Sequence, residues 1–173
     1  MTIGGTGAGG LDEIGVTQFA MGAGFFENLA YVTYESAGKM RAAVVAGDID
    51  ACWEEPGSAI ELIEAGELKP IISMALARAK GFEDVPTAAE MGYGDITVGR
   101  IRGFMFATGT DEALVSFMED IFEQAYNSDY YLTWEKEHFL DLRPGWGDRA
   151  TYTQQCADQV KEFESVLKEL GYM

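Results

Sequence analysis

Two hydrophobic periods alternate along the first half of the chain, and that alternation limits the fold more than any single motif does. Leu11, Ile14 and Phe19 stand three and five residues apart, with Met21 two further on, a spacing that predicts a helix, and Asp12 and Glu13 stand in its first turn, where the helix dipole favours acids. Gly22-Ala-Gly24 closes that helix, and Leu29-Ala-Tyr-Val-Thr-Tyr34, rich in β-branched and aromatic residues, predicts a strand. Met40, Ala43, Val44 and Val45 give a second helix its apolar face, Gly47 stops it, and residues 49–53 predict another short strand. Residues 58–65 predict a third helix closed by Gly66, and residues 71–76 an apolar strand. Alternating strands and helices imply a parallel α/β sheet.

Beyond residue 77 the pattern loosens. Asp84-Val-Pro-Thr-Ala-Ala-Glu90 pairs a threonine with a glutamate three residues on, the signature of a capping box at the start of a short helix. Residues 101–107 predict a strand, Thr110 or Asp111 caps a helix running to about residue 126, and a last amphipathic helix spans about residues 148–170. Internal repeats and low-complexity tracts are absent.

Charge and composition exclude several functions. The 173 residues carry 29 acids against 12 bases, a net charge of −17 spread over both halves, which repels nucleic-acid phosphates and anionic lipid. The longest uncharged run, residues 14–26, falls well short of the ~20 apolar residues of a membrane span. Neither a basic leader nor an apolar leader segment follows Met1, so an export signal is expected to lie outside this chain. The two cysteines, Cys52 and Cys156, are too few for a disulfide framework and read as small hydrophobes.

Catalytic chemistry finds little support. His138, the only histidine, lies in a charged stretch without a neighbouring nucleophile and reads as a surface or packing residue. No His/Cys group has metal-ligand spacing, and Asp48/Asp50 and Glu54/Glu55 read as capping or solvated carboxylates rather than a metal site. We therefore expect no enzyme activity, no metal and no cofactor. One formal motif argues otherwise: Gly5-x-Gly7-x-x-Gly10 matches a dinucleotide-binding fingerprint, with Glu35 as the later acid. Only Met1, Thr2 and Ile3 precede the glycine run where a full strand is needed, and the gap from Gly5 to Glu35 exceeds the usual ~20 residues. A nucleotide-binding oxidoreductase domain stays open as one alternative.

Four segments in order, Tyr34-Glu-Ser-Ala-Gly38, Ala42-Ala-Val-Val-Ala-Gly47-Asp-Ile-Asp50, Ile63-Glu-Ala-Gly66-Glu-Leu68 and Asp84-Val-Pro-Thr-Ala-Ala-Glu-Met-Gly92, resemble the substrate-binding receptors of tripartite tricarboxylate transporters, the Bug or TctC-like family. Gly103-Phe-Met-Phe-Ala-Thr-Gly-Thr110 is similar to that family's Gly-Leu-x-Ala-Pro-x-Gly-Thr-Pro. The Asp-Val-Pro-Thr-x-x-Glu-x-Gly element is the most specific of these. Ser36-Ala37 stand where the family has Gly-Gly, Thr33 replaces its proline, and Asp111 replaces the proline after Gly-Thr.

The resemblance implies a periplasmic-binding-protein-like α/β fold, a parallel or mixed sheet with flanking helices. It covers only the later half of such receptors: residues 1–100 correspond to domain two, and residues 101–173 to the C-terminal crossover segment that completes domain one. It implies an extracytoplasmic or periplasmic receptor that binds a small carboxylate and works with membrane subunits. It also implies exposed apolar surface, hence either a homo-oligomer or pairing with a missing N-terminal half. A fragment serving only as an interaction module is the other alternative.

For the carboxylate, the residues offer backbone amides rather than lysines. Thr6, Gly7, Ala8 and Gly9 precede one helix and Ser36, Ala37 and Gly38 another, so their N–H groups and the Thr6 and Ser36 hydroxyls are candidate anion donors. The same loops also read as ordinary turns between strand and helix. Glu54 and Glu55, in a third loop at the same sheet edge, would repel a polyanion but would hold an ammonium or hydroxyl group. Lys39 and Arg41 would attract an anion or remain solvated.

Overall fold

Among the described residues, three parallel strands in the order β2-β1-β3 form the sheet: β1 is Thr2–Thr6, β2 is Ala30–Tyr34 and β3 is Ala51–Cys52. The computed structural model describes residues 1–94, 96–141 and 145–173. Between the strands run α1 (Leu11–Gly22), followed by a 3-10 turn at Phe26–Asn28, and α2 (Ala37–Ala46). After β3 come α3 (Pro56–Glu64), α4 (Glu112–Tyr126), α5 (Asp129–Glu137) and α6 (Arg149–Glu169). This is the parallel α/β arrangement expected from the alternation. The chain divides into two compact units, one of Met1–Arg100 with Phe163–Met173 and one of Ile101–Glu162.

The central strand of the first unit departs from the sequence-based expectation, because Gly4 and Gly5 lie inside β1 rather than in the loop. Glycine weakens a strand unless another group must approach its backbone closely. Here both do: a Cβ on Gly4 would lie 2.6 Å from Ile49 Cδ1, and one on Gly5 would lie 2.2 Å from the Tyr31 hydroxyl and 2.8 Å from Asp12 Cβ. Successive strand residues point to opposite faces. Gly4 therefore faces α2 and its cluster of Met40, Ala43 and Ile49, while Gly5 faces α1. With helices on both faces, β1 is covered as a central parallel strand must be.

The strand expected at residues 71–76 reduces to a single parallel bridge between Ser73 and Thr87. Apolar composition marks burial, but a strand also needs a neighbour for its ladder, and among the described residues only Pro86 O and the Ala88 amide make backbone hydrogen bonds to Ser73. The capping box is present: the Thr87 amide donates to Glu90 Oε2 at 2.9 Å, and the Glu90 amide donates to Thr87 Oγ1 at 3.2 Å. It fixes a turn over residues 87–93 rather than a helix. Arg78 Nε adds hydrogen bonds to both Glu90 carboxylate oxygens, and these contacts hold that carboxyl below its usual range.

In the second unit, residues 101–107 form no strand, again for want of a described neighbour to pair with. Phe104 instead stacks on Phe122 of α4 with ring centroids 4.1 Å apart, and the Tyr152 ring occupies the space a Cβ at Gly103 would take. Asp111 caps α4 through the amides of Ala113 and Leu114. Helix α5 was not expected from its charged sequence, although Ser128 accepts from the Tyr131 amide as its cap. His138 stacks on Trp134 at 4.3 Å, the packing role.

Glu135 on α5 is buried at 5% exposure. Burial, reinforced by Asp141, pushes its carboxyl above the usual range, and a hydrogen bond with Tyr126 opposes this. The native state then binds more protons than the unfolded chain just above the ordinary carboxylate range, so stability falls as pH rises through that window. We expect Glu135→Gln to raise stability at neutral pH by about 1 kcal/mol, with the gain vanishing below about pH 4. Thermal melts of both proteins across pH 3–8 check this, and a gain constant with pH would contradict it.

Candidate functional site

Parallel strands all release their chains at one edge, so the loops after β1, β2 and β3 gather there. The register pairs Thr6 with Tyr34, which ends β1 and β2 level, and pairs Gly4 with Cys52 on the other side. The order β2-β1-β3 makes the chain leave β1 toward one neighbour and return later to the other. The reversal lies between β1 and β3, the position where open α/β sheets form their crevice. Residues 7–10 and 53–55 flank that crevice, and residues 35–36 flank the other side of β1.

In the first loop, Gly7 and Gly9 take φ of 78° and 65°, a left-handed backbone that glycine adopts without strain. The donors expected to meet a ligand are partly engaged within the chain. The Thr6 amide and hydroxyl both donate to Asp12 Oδ2, at 2.8 and 2.7 Å, and the Gly9 amide donates to Glu13 Oε2 at 2.6 Å. Asp12 is buried, 5% exposed, and its carboxylate occupies the nest that the loop builds at the start of α1. Gly7 and Ala8 are exposed, and among the described residues their amides meet no protein acceptor.

Two tyrosines that the sequence reading passed over complete this loop. The Tyr31 hydroxyl donates to Gly7 O at 3.2 Å, and the Tyr172 hydroxyl donates to Glu13 Oε2 at 3.0 Å. Burial first, then the charges of Asp12 and Glu13, push the Tyr31 hydroxyl well above its ordinary range, so it stays protonated as a donor.

The second loop supplies a cap. Ser36 Oγ accepts from the Lys39 amide at 3.4 Å, and Lys39 pairs with Glu35. Ser36 and Gly38 are exposed and Ala37 is half-buried, with the amides of Ala37 and Gly38 in the first turn of α2, where no helical acceptor exists. Glu54 in the third loop is not presented outward: it meets Arg41 NH1 at 2.6 Å, its Oε1 accepts from the Glu55 amide, and its side chain is 14% exposed. Arg41 is thus a tie between α2 and the third loop rather than a solvated cation. Beside it the Cys52 thiol is pushed up to about 11, mainly by burial and then by Glu54, so it is neutral at pH 7. Cys52 and Cys156 are both free thiols.

The crevice between the first and third loops is spanned by Arg100, which the sequence reading did not select. Its NH2 lies 3.4 Å from Asp12 Oδ1 and its Nε 3.3 Å from Glu55 Oε1. Trp53, directly after β3, packs against α1: a Cβ on Gly15 would lie 2.5 to 2.8 Å from three atoms of its ring. Among the described residues, no group of acids, histidines or cysteines has the arrangement of a metal site, and no helix is long and apolar enough to cross a membrane.

A parallel sheet with helices on both faces of its central strand and exposed loop amides at one edge is an arrangement shared with known proteins. A family model described as tripartite tricarboxylate transporter family receptor matches residues 1–172. A UPF0065 protein from the gbd 5′ region of Cupriavidus necator is 25% identical over 142 residues, which is 82% of this chain and 42% of that relative. Among solved structures, a ligand-free TctC solute-binding protein from Polaromonas superposes with a TM-score of 0.77 at 18% identity, over 97% of this chain and 57% of that one. The periplasmic binding protein BugD gives 0.75 at 16% identity, over 99% and 56%. The chain belongs to the tripartite tricarboxylate transporter receptor family, and it spans about half the length of the relatives it matches.

Proposed function

We propose that this chain is the carboxylate-binding half of an extracytoplasmic solute receptor, serving membrane transport subunits and carrying out no catalysis of its own. The observation that carries this reading is the exposed Gly7-Ala8 backbone, with unengaged amides beside the first turn of α2, at one sheet edge of a chain in this family. Ligand contact then falls to Gly7 and Ala8 from the first loop and to Ala37, Gly38 and the Ser36 hydroxyl from the second. Thr6 and Gly9 act one step back, holding Asp12 and Glu13 so that the loop keeps its shape. Glu54 is a support for the third loop rather than a ligand contact.

The nucleotide reading loses its basis at this edge. Gly5 lies inside β1 with Tyr31 against it, and the Asp12 and Glu13 carboxylates hold the donors that a pyrophosphate would need. The interaction-module reading keeps one supporting observation, the exposed Phe104, Met105 and Phe117 of the second unit.

A thermal-unfolding series against di- and tricarboxylates, hydroxy acids, acidic amino acids and NAD separates these readings. A ligand at about a hundred times its Kd adds ~2.7 kcal/mol to the native state, so a carboxylate that binds should raise Tm by about 5–10 °C. A shift with NAD alone would overturn the receptor reading. Silence across the panel would leave the interaction module as the surviving function.

A further inference from the structure

We propose that Tyr172, just beyond α6, is a positioning residue for the ligand contacts: it holds the first loop so that the Gly7 and Ala8 amides stand ready before a carboxylate arrives. This rests on the receptor reading above and goes beyond it, to how a conformationally free loop is prepared for binding. Residues 7–10 include Gly7, Gly9 and Gly10, and a glycine fixed in one conformation gives up more backbone freedom than any other residue. A loop of that composition presents two adjacent amides in one arrangement only if both its ends are tied. One end is tied from β2, where the Tyr31 hydroxyl donates to Gly7 O at 3.2 Å. The other is tied from beyond α6: the Gly9 amide donates to Glu13 Oε2 at 2.6 Å, and the Tyr172 hydroxyl donates to the same oxygen at 3.0 Å. The Tyr172 ring also lies along Gly9, with three of its atoms 3.5–3.6 Å from where a Cβ would stand.

A built helix ending, not a loose tail, delivers this tyrosine. Gly171 takes φ of 77°, its amide donates to Lys168 O at 3.0 Å, and the Tyr172 amide donates to Leu167 O at 2.9 Å. That pair of bonds is a Schellman closure, in which a left-handed glycine turns the chain off the helix in a fixed direction. Val166 is buried in the last turns of α6, and Phe163–Met173 belong to the same compact unit as the first loop. The hydrogen bond to Glu13 holds the Tyr172 hydroxyl above its ordinary range, so it remains a donor at neutral pH. Tyr172 is 49% exposed and so lies outside the core, and the hydrogen bond that its side chain makes goes to the brace of the first loop, Glu13. Its loss should therefore loosen that loop far more than it loosens the fold.

Backbone nitrogen relaxation of the full chain, with titration calorimetry against succinate, malate, citrate and aspartate, tests this in wild type, Tyr172→Phe and Tyr172→Ala. In ligand-free wild type the Gly7 and Ala8 amides should have the order parameter of rigid backbone, about 0.85, and in Tyr172→Ala they should fall below about 0.6. The Ala37 and Gly38 amides of the second loop should keep their wild-type values, which a general loosening would not allow. Apparent affinity scales with the fraction of molecules whose loop is already in place, so Tyr172→Ala should lose about tenfold for each of the four carboxylates that binds wild type. Tyr172→Phe keeps the ring against Gly9 and lacks only the hydroxyl, so it should lose about threefold, a result that stands even if Tyr172→Ala folds poorly. Unchanged order at Gly7 and Ala8 in both variants, equal loosening of Ala37 and Gly38, or looser first-loop amides with carboxylate affinities unchanged would overturn the inference and leave the receptor reading intact. Wild type binding none of the four would overturn the receptor reading for these ligands, and the inference with it.

Discussion

Gly22→Ala should destabilise the protein by about 2 kcal/mol, although alanine is the better helix former. Gly22 is the last residue of α1, and a Cβ there would lie 2.2 Å from the Tyr93 carbonyl oxygen and 3.2 Å from its carbon. The obstacle is backbone, which no rotamer change can clear, so α1 or residues 91–94 must move. Those residues are tied to α1 by more than this contact, since the Phe19 ring meets Tyr93 at 5.7 Å and Phe25 at 5.4 Å. Overpacking of this kind costs about 1–3 kcal/mol or more, against the ~1 kcal/mol that alanine gains over glycine in a helix. Gly38→Ala is the matched control. Gly38 also lies in a helix, but nothing stands within 4 Å of its would-be Cβ, so that variant should be neutral or slightly more stable. Urea titrations of both variants decide the point, and equal stability for the two would refute the close-packing account of Gly22.

The same close approaches explain where the sequence could be read and where it could not. The pattern of hydrophobic period and capping residues placed α1, α2, α3, α4 and α6 and the strands β2 and β3. It failed at β1, where Gly4 and Gly5 signal a loop in isolation and make sense only once Ile49 and Tyr31 are brought against them. It overread residues 71–76 and 101–107, since an apolar run records burial but not whether another strand lies alongside. It passed over α5 because the stretch is charged, although one of those charges, Glu135, is buried.

The site divides in the same way. The glycine loop and the Ser36 loop were visible as candidate donors before a helix, though not Ser36 as a cap, and both loops stand at the sheet edge. Asp12 and Glu13 were visible only as first-turn acids that favour a helix dipole, whereas in the fold they also take the donors of the loop before them. Arg100 is 88 residues from Asp12, and Arg41 is 13 from Glu54. No spacing rule connects such pairs; they exist because β3 and the segment ending at Arg100 return to the edge that β1 began.

Asp12→Ala should expose what the first loop is built to hold. The substitution leaves the Thr6 amide and hydroxyl without their acceptor and removes one of the two carboxylates facing Arg100. Breaking a buried, hydrogen-bonded carboxylate out of such a set should cost about 3 kcal/mol. The vacated nest is lined by two donors at the start of α1 with a guanidinium beside it, the arrangement that favours a small anion. Acetate or formate at tens of millimolar should therefore restore part of the lost Tm in Asp12→Ala, by binding the native state alone. Chloride at equal ionic strength should not, and acetate should raise the Tm of wild type by less than it raises that of Asp12→Ala, because the wild-type Asp12 already fills the nest. Equal melting points for Asp12→Ala in acetate and chloride would mean that the loop recognises Asp12 only through its covalent placement. Rescue would show that the Thr6 turn holds a carboxylate on its hydrogen bonds alone, the same property that the Gly7 and Ala8 amides one step outward need in order to hold a ligand.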